Sequence, residues 1–152
     1  MSNKEPARRD TVGAWAKAFH RASQSAVEAA LRPHGLGVTQ WYVMYHLAND
    51  GPSTQRDLTE WLAVERATLS GVVASLVRKG LVEQLPDDHD GRVRRVRLTD
   101  LGHQRWAEVA DPIGPLTRIA FRGLDAGDLD TAMRVLRTAT QQIEGHTSKG
   151  SR

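Results

Sequence analysis

The tightest restriction on the fold of this sequence sits at Gly80, where a long helical pattern stops and two short strand-like segments begin. From about Glu65 to Lys79 the apolar residues Leu69, Val72, Val73, Leu76 and Val77 recur every three or four positions, the spacing that lines one face of a helix. Gly80 has no side chain and so permits the left-handed backbone of a helix C-cap, while Arg78 and Lys79 sit favourably at the negative end of the helix dipole. Leu81–Leu85 and Arg94–Leu98 then read as two short strands. Pro86 to Val93, between them, is polar and too long for a tight turn, so the tip of this hairpin is expected to be exposed.

Upstream, Val12, Trp15, Phe19, Ala22, Ala26 and Ala29 predict a helix over Thr11–Leu31, ended by Arg32-Pro33. Thr39 is expected to cap a second helix with a buried stripe of Trp41, Met44, Tyr45, Leu47 and Ala48, stopped by Asn49-Asp50-Gly51-Pro52. Ser53 or Thr54 then caps a short helix with Leu58, Trp61 and Leu62 inward, joined to the helix at Glu65 by a tight connection at Ala63-Val64. Downstream, Thr99 caps a helix with the stripe Leu101, Trp106, Val109 and Ile113. Pro112 and Pro115 are expected to break it near Asp111–Pro115, because proline removes an amide donor and crowds the preceding turn. Asp125 caps a last helix with the stripe Leu129, Met133, Leu136 and Ile143, ending near Gly145.

Composition bounds the chemistry. The chain has 152 residues, 39% of them hydrophobic and 26% charged, enough for a substantial core. It has no cysteine, which excludes disulfides, thiolate catalysis and thiolate zinc sites. The net charge of +3 is weak support for a polyanionic partner. No segment approaches a membrane span and Met1–Asp10 lacks the apolar core of a signal peptide, so a cytoplasmic location without membrane contact is expected. The organisation expected is a mobile tail (1–10), an N-terminal dimerisation helix (11–37), a winged helix-turn-helix DNA-binding module (38–98), linking and dimerisation helices (99–145) and a second mobile tail (146–152).

Two short helices joined by a tight turn and followed by a hairpin form the winged helix-turn-helix order, which presents the second helix to a DNA major groove. The fold class expected is therefore mainly α with a small β-hairpin wing, plus a helical dimerisation region. The outward side of the second helix carries Arg66, Ala67, Thr68, Ser70, Gly71, Ala74 and Ser75, small or polar residues that let a backbone sit deep in a groove. Arg66, the long donor among them, is the candidate for a base-edge contact, or else pairs with Asp57 or Glu65 on a solvated surface. Thr54 and Gln55, at the start of the first short helix, complete that surface. In the hairpin stand Arg92, Arg94, Arg95 and Arg97. With Val96 and Leu98 inward, Arg95 and Arg97 point out, and Arg92 and Arg94 lie toward the tip, where Arg92 is the candidate for a narrow minor groove.

From about Val38 to Gly102 the sequence resembles the MarR family of winged-helix repressors. The resemblance rests on Asp57-Leu58, Thr68-Leu69-Ser70, Lys79-Gly80-Leu81-Val82, Asp90-Gly91-Arg92 and Leu98-Thr99-x-x-Gly102. It implies that Arg92 reaches the minor groove while Asp90 holds it by a charge-assisted bond, that Ser70 lies in the groove-facing helix, and that the first and last helices interlock in a homodimer. Glu65 and Gly71 depart from the family pattern, which favours a short capping residue and a longer polar side chain there.

The resemblance also implies release from DNA by a small aromatic or anionic effector. His20, Tyr42 and His46, with Trp15 or Trp106 as walls, are the candidates to hold it, against the plainer reading of a packed core with satisfied polar tips. Asp87-Asp88-His89-Asp90 could be read as a hard-metal cluster, but Arg92 and Arg94 oppose a cation there, and the spacing of His20, His34 and His46 matches no metal motif. No metal, cofactor or catalytic residue is expected. The sequence contains no phosphate-cradling loop, no Gly-x-Ser-x-Gly and no His-Glu-x-x-His, so an enzyme is not expected. The expectation is a homodimeric repressor on a pseudo-palindromic duplex; the competing readings are a winged-helix protein-interaction module that binds no DNA and a small hydrolase.

Overall fold

The structure is a computed structural model that describes residues 10–87, 89–109 and 111–149. The elements are α1 (Val12–Leu31), a 3-10 turn at Arg32–His34, α2 (Val38–Asp50), β1 (Ser53–Thr54), α3 (Gln55–Leu62), α4 (Arg66–Arg78), β2 (Val82–Pro86), β3 (Arg94–Leu98), α5 (Asp100–Glu108), α6 (Ile113–Ala120) and α7 (Ala126–Lys149). The mainly helical winged helix-turn-helix architecture is the one the sequence predicts. What was expected of residues 1–9, of Asp88 and of residues 150–152 lies outside the described residues.

Local chemistry sets most of the boundaries. The Thr11 hydroxyl accepts from the Ala14 N–H at 3.2 Å and starts α1. Thr54 and Asp57 cap α3 reciprocally, each side chain accepting from the other's backbone N–H. Thr99 does the same work for α5, accepting from Gly102 N–H at 3.0 Å. Gly80 has φ +71°, the left-handed turn that ends α4. Ala63, also left-handed at φ 51°, makes the tight turn between α3 and α4.

Several expectations are corrected. Thr39 lies inside α2, whose N-cap is Gly37; there the Gln40 side chain accepts from the Gly37 N–H at 3.1 Å. Ser53–Thr54 is not only a cap but a third strand, paired with Val96 and Arg95, so the sheet order is β1-β3-β2. A two-residue strand shows no period of its own and was invisible to pattern reading. The break after α5 begins at Val109, before the prolines, and α6 starts at Ile113 because Asp111 caps it, accepting from the N–H groups of Ile113 (2.9 Å) and Gly114 (3.1 Å). α7 continues past Gly145 to Lys149.

The core gathers Leu31 of α1, Trp41, Val43, Met44 and Leu47 of α2, Leu58 of α3, Leu69, Val73 and Leu76 of α4, and Val82, Val96 and Leu98 of the sheet. Tyr45, Trp61 and Val77, expected inside, are exposed. The chain divides into two compact units, Met1–Leu116 and Thr117–Arg152. In the first, Val12, Trp15 and Phe19 of α1 leave an apolar stripe uncovered; in the second, Met133, Leu136 and Ile143 of α7 do the same. No helix among the described residues is long and apolar enough to cross a membrane.

Candidate nucleic-acid interface and aromatic cleft

Three buried side chains on one side of α4, Leu69, Val73 and Leu76, fix which face is left to solvent. That face carries Arg66, Ala67, Thr68, Ser70, Gly71 and Ala74, all exposed. Arg66 makes no ion pair with Asp57 or Glu65 among the described residues, so its guanidinium keeps its donors for another partner. A β-carbon added at Gly71 would meet nothing within 4 Å, so the middle of the helix is an open approach. The Ser70 hydroxyl donates to Gln55 Oε1 at 3.1 Å, which ties the start of α3 to the same face. The Thr54 hydroxyl is engaged as the α3 cap.

Ser75 has a different place. Half-buried, its hydroxyl accepts from Gln40 Nε2 at 3.0 Å, and Gln40 Oε1 in turn accepts from Lys79 Nζ at 2.9 Å. Lys79 also donates to the Gly35 carbonyl at 2.6 Å. This clamp joins the entry of α2 to the C-terminal half of α4. Ser75 therefore orients the helix, and the sequence reading that set it with the groove-facing residues missed its partner 35 positions away.

In the wing, β2 and β3 pair antiparallel, with Glu83 opposite Arg97 and Leu85 opposite Arg95. Val96 and Leu98 are buried, as expected. The outward Arg95 and Arg97 are tethered: Arg97 Nε donates to Glu83 at 2.8 Å, and Arg95 donates to Asp87 and to the Pro52 carbonyl. Arg94 Nη2 donates to the Gln84 carbonyl at 2.9 Å. Hydrogen bonding to the Arg95 guanidinium, joined by the backbone N–H of His89, holds the Asp87 carboxyl well below the usual carboxylate range, at about 2. Asp87 and Asp90 also shape the tip, Asp87 accepting from the N–H groups of His89 and Asp90, and Asp90 from that of Arg92 at 3.0 Å. Asp90 thus holds the Arg92 backbone rather than its guanidinium. The Arg92 guanidinium has no protein partner among the described residues.

A second feature is an open cleft of about 690 Å³ lined by Trp41, Tyr42, Tyr45, Trp61, Trp106, Ala107, Val109, Asp111, Ile113 and Gly114. It takes in three of the chain's four tryptophans and both tyrosines. Tyr45 stacks on Trp61 with planes 13° apart, and Trp41 lies 5.7 Å from Trp106 between ring centres. Of the sequence candidates, Tyr42 and Trp106 line the cleft. His46 packs on Trp61 at 4.8 Å, its Nε2 hydrogen-bonded with Ser53 Oγ (2.9 Å) and its Nδ1 near Asp50 (3.2 Å) but without a hydrogen bond to it. Trp15 and His20 do not line it; both are exposed on α1, Trp15 donating to Asp10. Trp41, Tyr45 and Trp61 were missed as cleft residues, although the concentration of rings at 41, 42 and 45 was a usable signal.

Ser53, His46 and Asp50 follow one another as in a hydrolytic triad, but Ser53 is buried in β1 and does not line the aromatic cleft, and His46 Nδ1 makes no hydrogen bond to Asp50. No metal-binding cluster of His and acidic side chains occurs among the described residues.

The sequence pattern of the MarR family matches residues 34–93. The transcriptional repressor NicR of Pseudomonas putida is 31% identical over 125 residues, covering 80% of this chain and 76% of NicR. Among solved structures, BpsR of Bordetella bronchiseptica, whose DNA binding is regulated by 6-hydroxynicotinic acid, superposes with a TM-score of 0.77 at 21% identity, over 90% of this chain and 97% of that one. A mutant MarR from E. coli complexed with operator DNA gives 0.75 at 23% identity, over 84% and 92%. The family pattern over the helix-turn-helix and wing, with a repressor alike across most of both chains, makes this chain a member of the MarR family of transcriptional regulators.

Proposed function

We propose that the chain is a homodimeric repressor that binds a pseudo-palindromic operator and leaves it when a small aromatic effector occupies the cleft around Trp41 and Trp106. The observation that carries this is the pairing of one open helix face, Arg66 to Ala74, with one untethered wing cation, Arg92. Arg66, Ala67, Thr68, Ser70 and Gly71 enter the major groove, with Arg66 donating to a base edge. Thr54 and Gln55 approach the flanking phosphates through the α3 N-terminus. Arg92 enters the adjacent minor groove, set by Asp90, and Arg94 supports the wing behind it. The dimer is supported by the uncovered stripes of α1 and α7, apolar surface that a single chain leaves in water. The operator complex and the effector-regulated DNA binding named for the two structural neighbours support the same reading, which has the chain acting in the cytoplasm as a regulator and not as an enzyme.

The reading is tested by selecting bound duplexes from a random pool at fixed salt. The expected result is an inverted repeat whose half-sites lie about 10 base pairs, or a multiple, apart. Enrichment of no sequence, with binding that depends on salt alone, contradicts it and favours the protein-interaction module.

A further inference from the structure

The exposed face of α4 is poor in polar groups, so the few it has decide which bases it can read. Ala67, Gly71 and Ala74 bring no side-chain donor or acceptor. Arg66 can only donate, and the Thr68 hydroxyl rotates to suit either kind of partner. Ser70 is different. Its hydroxyl hydrogen is already committed to Gln55 Oε1, 3.1 Å away. What Ser70 turns outward is therefore its lone pairs, and toward an outside partner it accepts.

The same bond sets the other partner. Gln55 is the first residue of α3, whose start is held by the reciprocal cap of Thr54 and Asp57. A lone pair of its Oε1 takes the Ser70 hydrogen, which decides which end of the amide faces α4. Its Nε2 has no acceptor among the described residues and keeps both N–H groups for an outside partner. The α3 N-terminus thus lies toward the phosphates, while the Gln55 side chain is drawn across to α4. Beside Ser70, a β-carbon added at Gly71 would meet nothing within 4 Å, so a flat base edge can come up to the pair.

The pair offers acceptor oxygens, Ser70 Oγ and the second lone pair of Gln55 Oε1, next to an amide donor, Gln55 Nε2. In the major groove guanine shows acceptors alone, thymine an acceptor and a methyl group, and cytosine a donor alone. Adenine is the base that shows a donor, the N6 amine, beside an acceptor, N7. From this match we infer that Ser70 and Gln55 together read one adenine in each half-site, N6 donating to the oxygens of the pair and N7 accepting from Gln55 Nε2. Ser70 is also the positioning residue that aims the amide. The inference rests on the operator reading above and deepens it by naming a base. Arg66 stands one turn earlier in α4, so the base it reads is a neighbour of that adenine.

Two base analogues test this on the operator obtained by selection: 7-deazaadenine, which lacks the N7 acceptor, and purine, which lacks the N6 amine. Each replaces one symmetry-related pair of adenines at a time, and affinity at fixed salt is read by fluorescence anisotropy for the full chain, Ser70→Ala and Gln55→Ala. Both side chains lie at the surface, outside the core, so the variants keep the fold. The expected result is one adenine pair at which either analogue weakens binding by the wild type about tenfold. In both variants the same replacements are expected to change affinity by about twofold or less. An operator that binds the chain but is indifferent at every adenine to one or both analogues removes this inference and leaves the regulator reading standing. Weakening that persists in either variant assigns the adenine to another side chain and overturns the inference as well. Enrichment of no operator removes the regulator reading, and this inference with it.

Discussion

Replacing Arg92 with alanine is expected to weaken operator binding by about 1–3 kcal/mol and to lower the slope of log affinity against log salt by about 1, with no change in thermal stability. The expectation follows from how the wing distributes its cations. Arg94, Arg95 and Arg97 each donate to a protein acceptor, so removing any of them disturbs the sheet as well as the charge. Arg92 lies beyond that network, at a tip whose backbone is fixed by Asp90 and Asp87. Its loss removes a guanidinium without loosening the loop that presents it. The comparison is a salt titration of wild type and Arg92→Ala on one operator duplex. Unchanged affinity and slope would mean that the wing does not touch DNA.

Replacing Gly102 with alanine is expected to cost about 3 kcal/mol or more of folding stability. A β-carbon there would stand 2.0 Å from the Leu81 carbonyl oxygen and 3.2 Å from Leu98 Cδ2. That carbonyl is not free to retreat, because it accepts the Thr99 N–H at 3.0 Å, while the Thr99 hydroxyl donates to the Gly80 carbonyl at 2.6 Å. The first turn of α5 is seated directly on the chain that enters β2, and a side chain at position 102 pries them apart. Urea denaturation reads the loss as a fall in midpoint. Gly71→Ala is the control: its β-carbon meets nothing, and helix propensity alone predicts a gain of up to about 1 kcal/mol. A Gly102→Ala midpoint equal to wild type would contradict this packing.

The parts of the fold legible in the sequence are those whose cause is local. Thr11, Thr54, Thr99 and Gly80 mark helix ends because a side-chain oxygen, or the lack of a β-carbon, acts within three residues of its own position. What the sequence concealed depends on partners far along the chain. β1 exists because β3 pairs with it, some forty positions later. Tyr45 sits among the apolar residues of α2, yet it turns outward to stack on Trp61, a preference that no helical period encodes.

The same division holds for the candidate interface. The exposed face of α4 and the cation at the wing tip were readable from spacing and charge. The recruitment of Ser75 by Gln40 and Lys79, and the tethering of Arg95 by Asp87, needed the tertiary pairing of elements. The apolar stripes of α1 and α7 were predicted as helix faces, but a single chain does not cover them, which is why they speak to assembly rather than to the core.

The central claim is that the α4 face and the wing tip engage one duplex together, in neighbouring grooves. Because the chain has no cysteine, a DNA-cleaving reagent can be placed at single sites through Gly71→Cys and Gly91→Cys, positions where an added β-carbon meets nothing within 4 Å. On an operator duplex, the account predicts cleavage from position 71 within each half-site and cleavage from position 91 in the flanking minor groove, both repeated symmetrically at a spacing of about 10 base pairs or a multiple. Cleavage from position 71 alone, or from neither position, would contradict it.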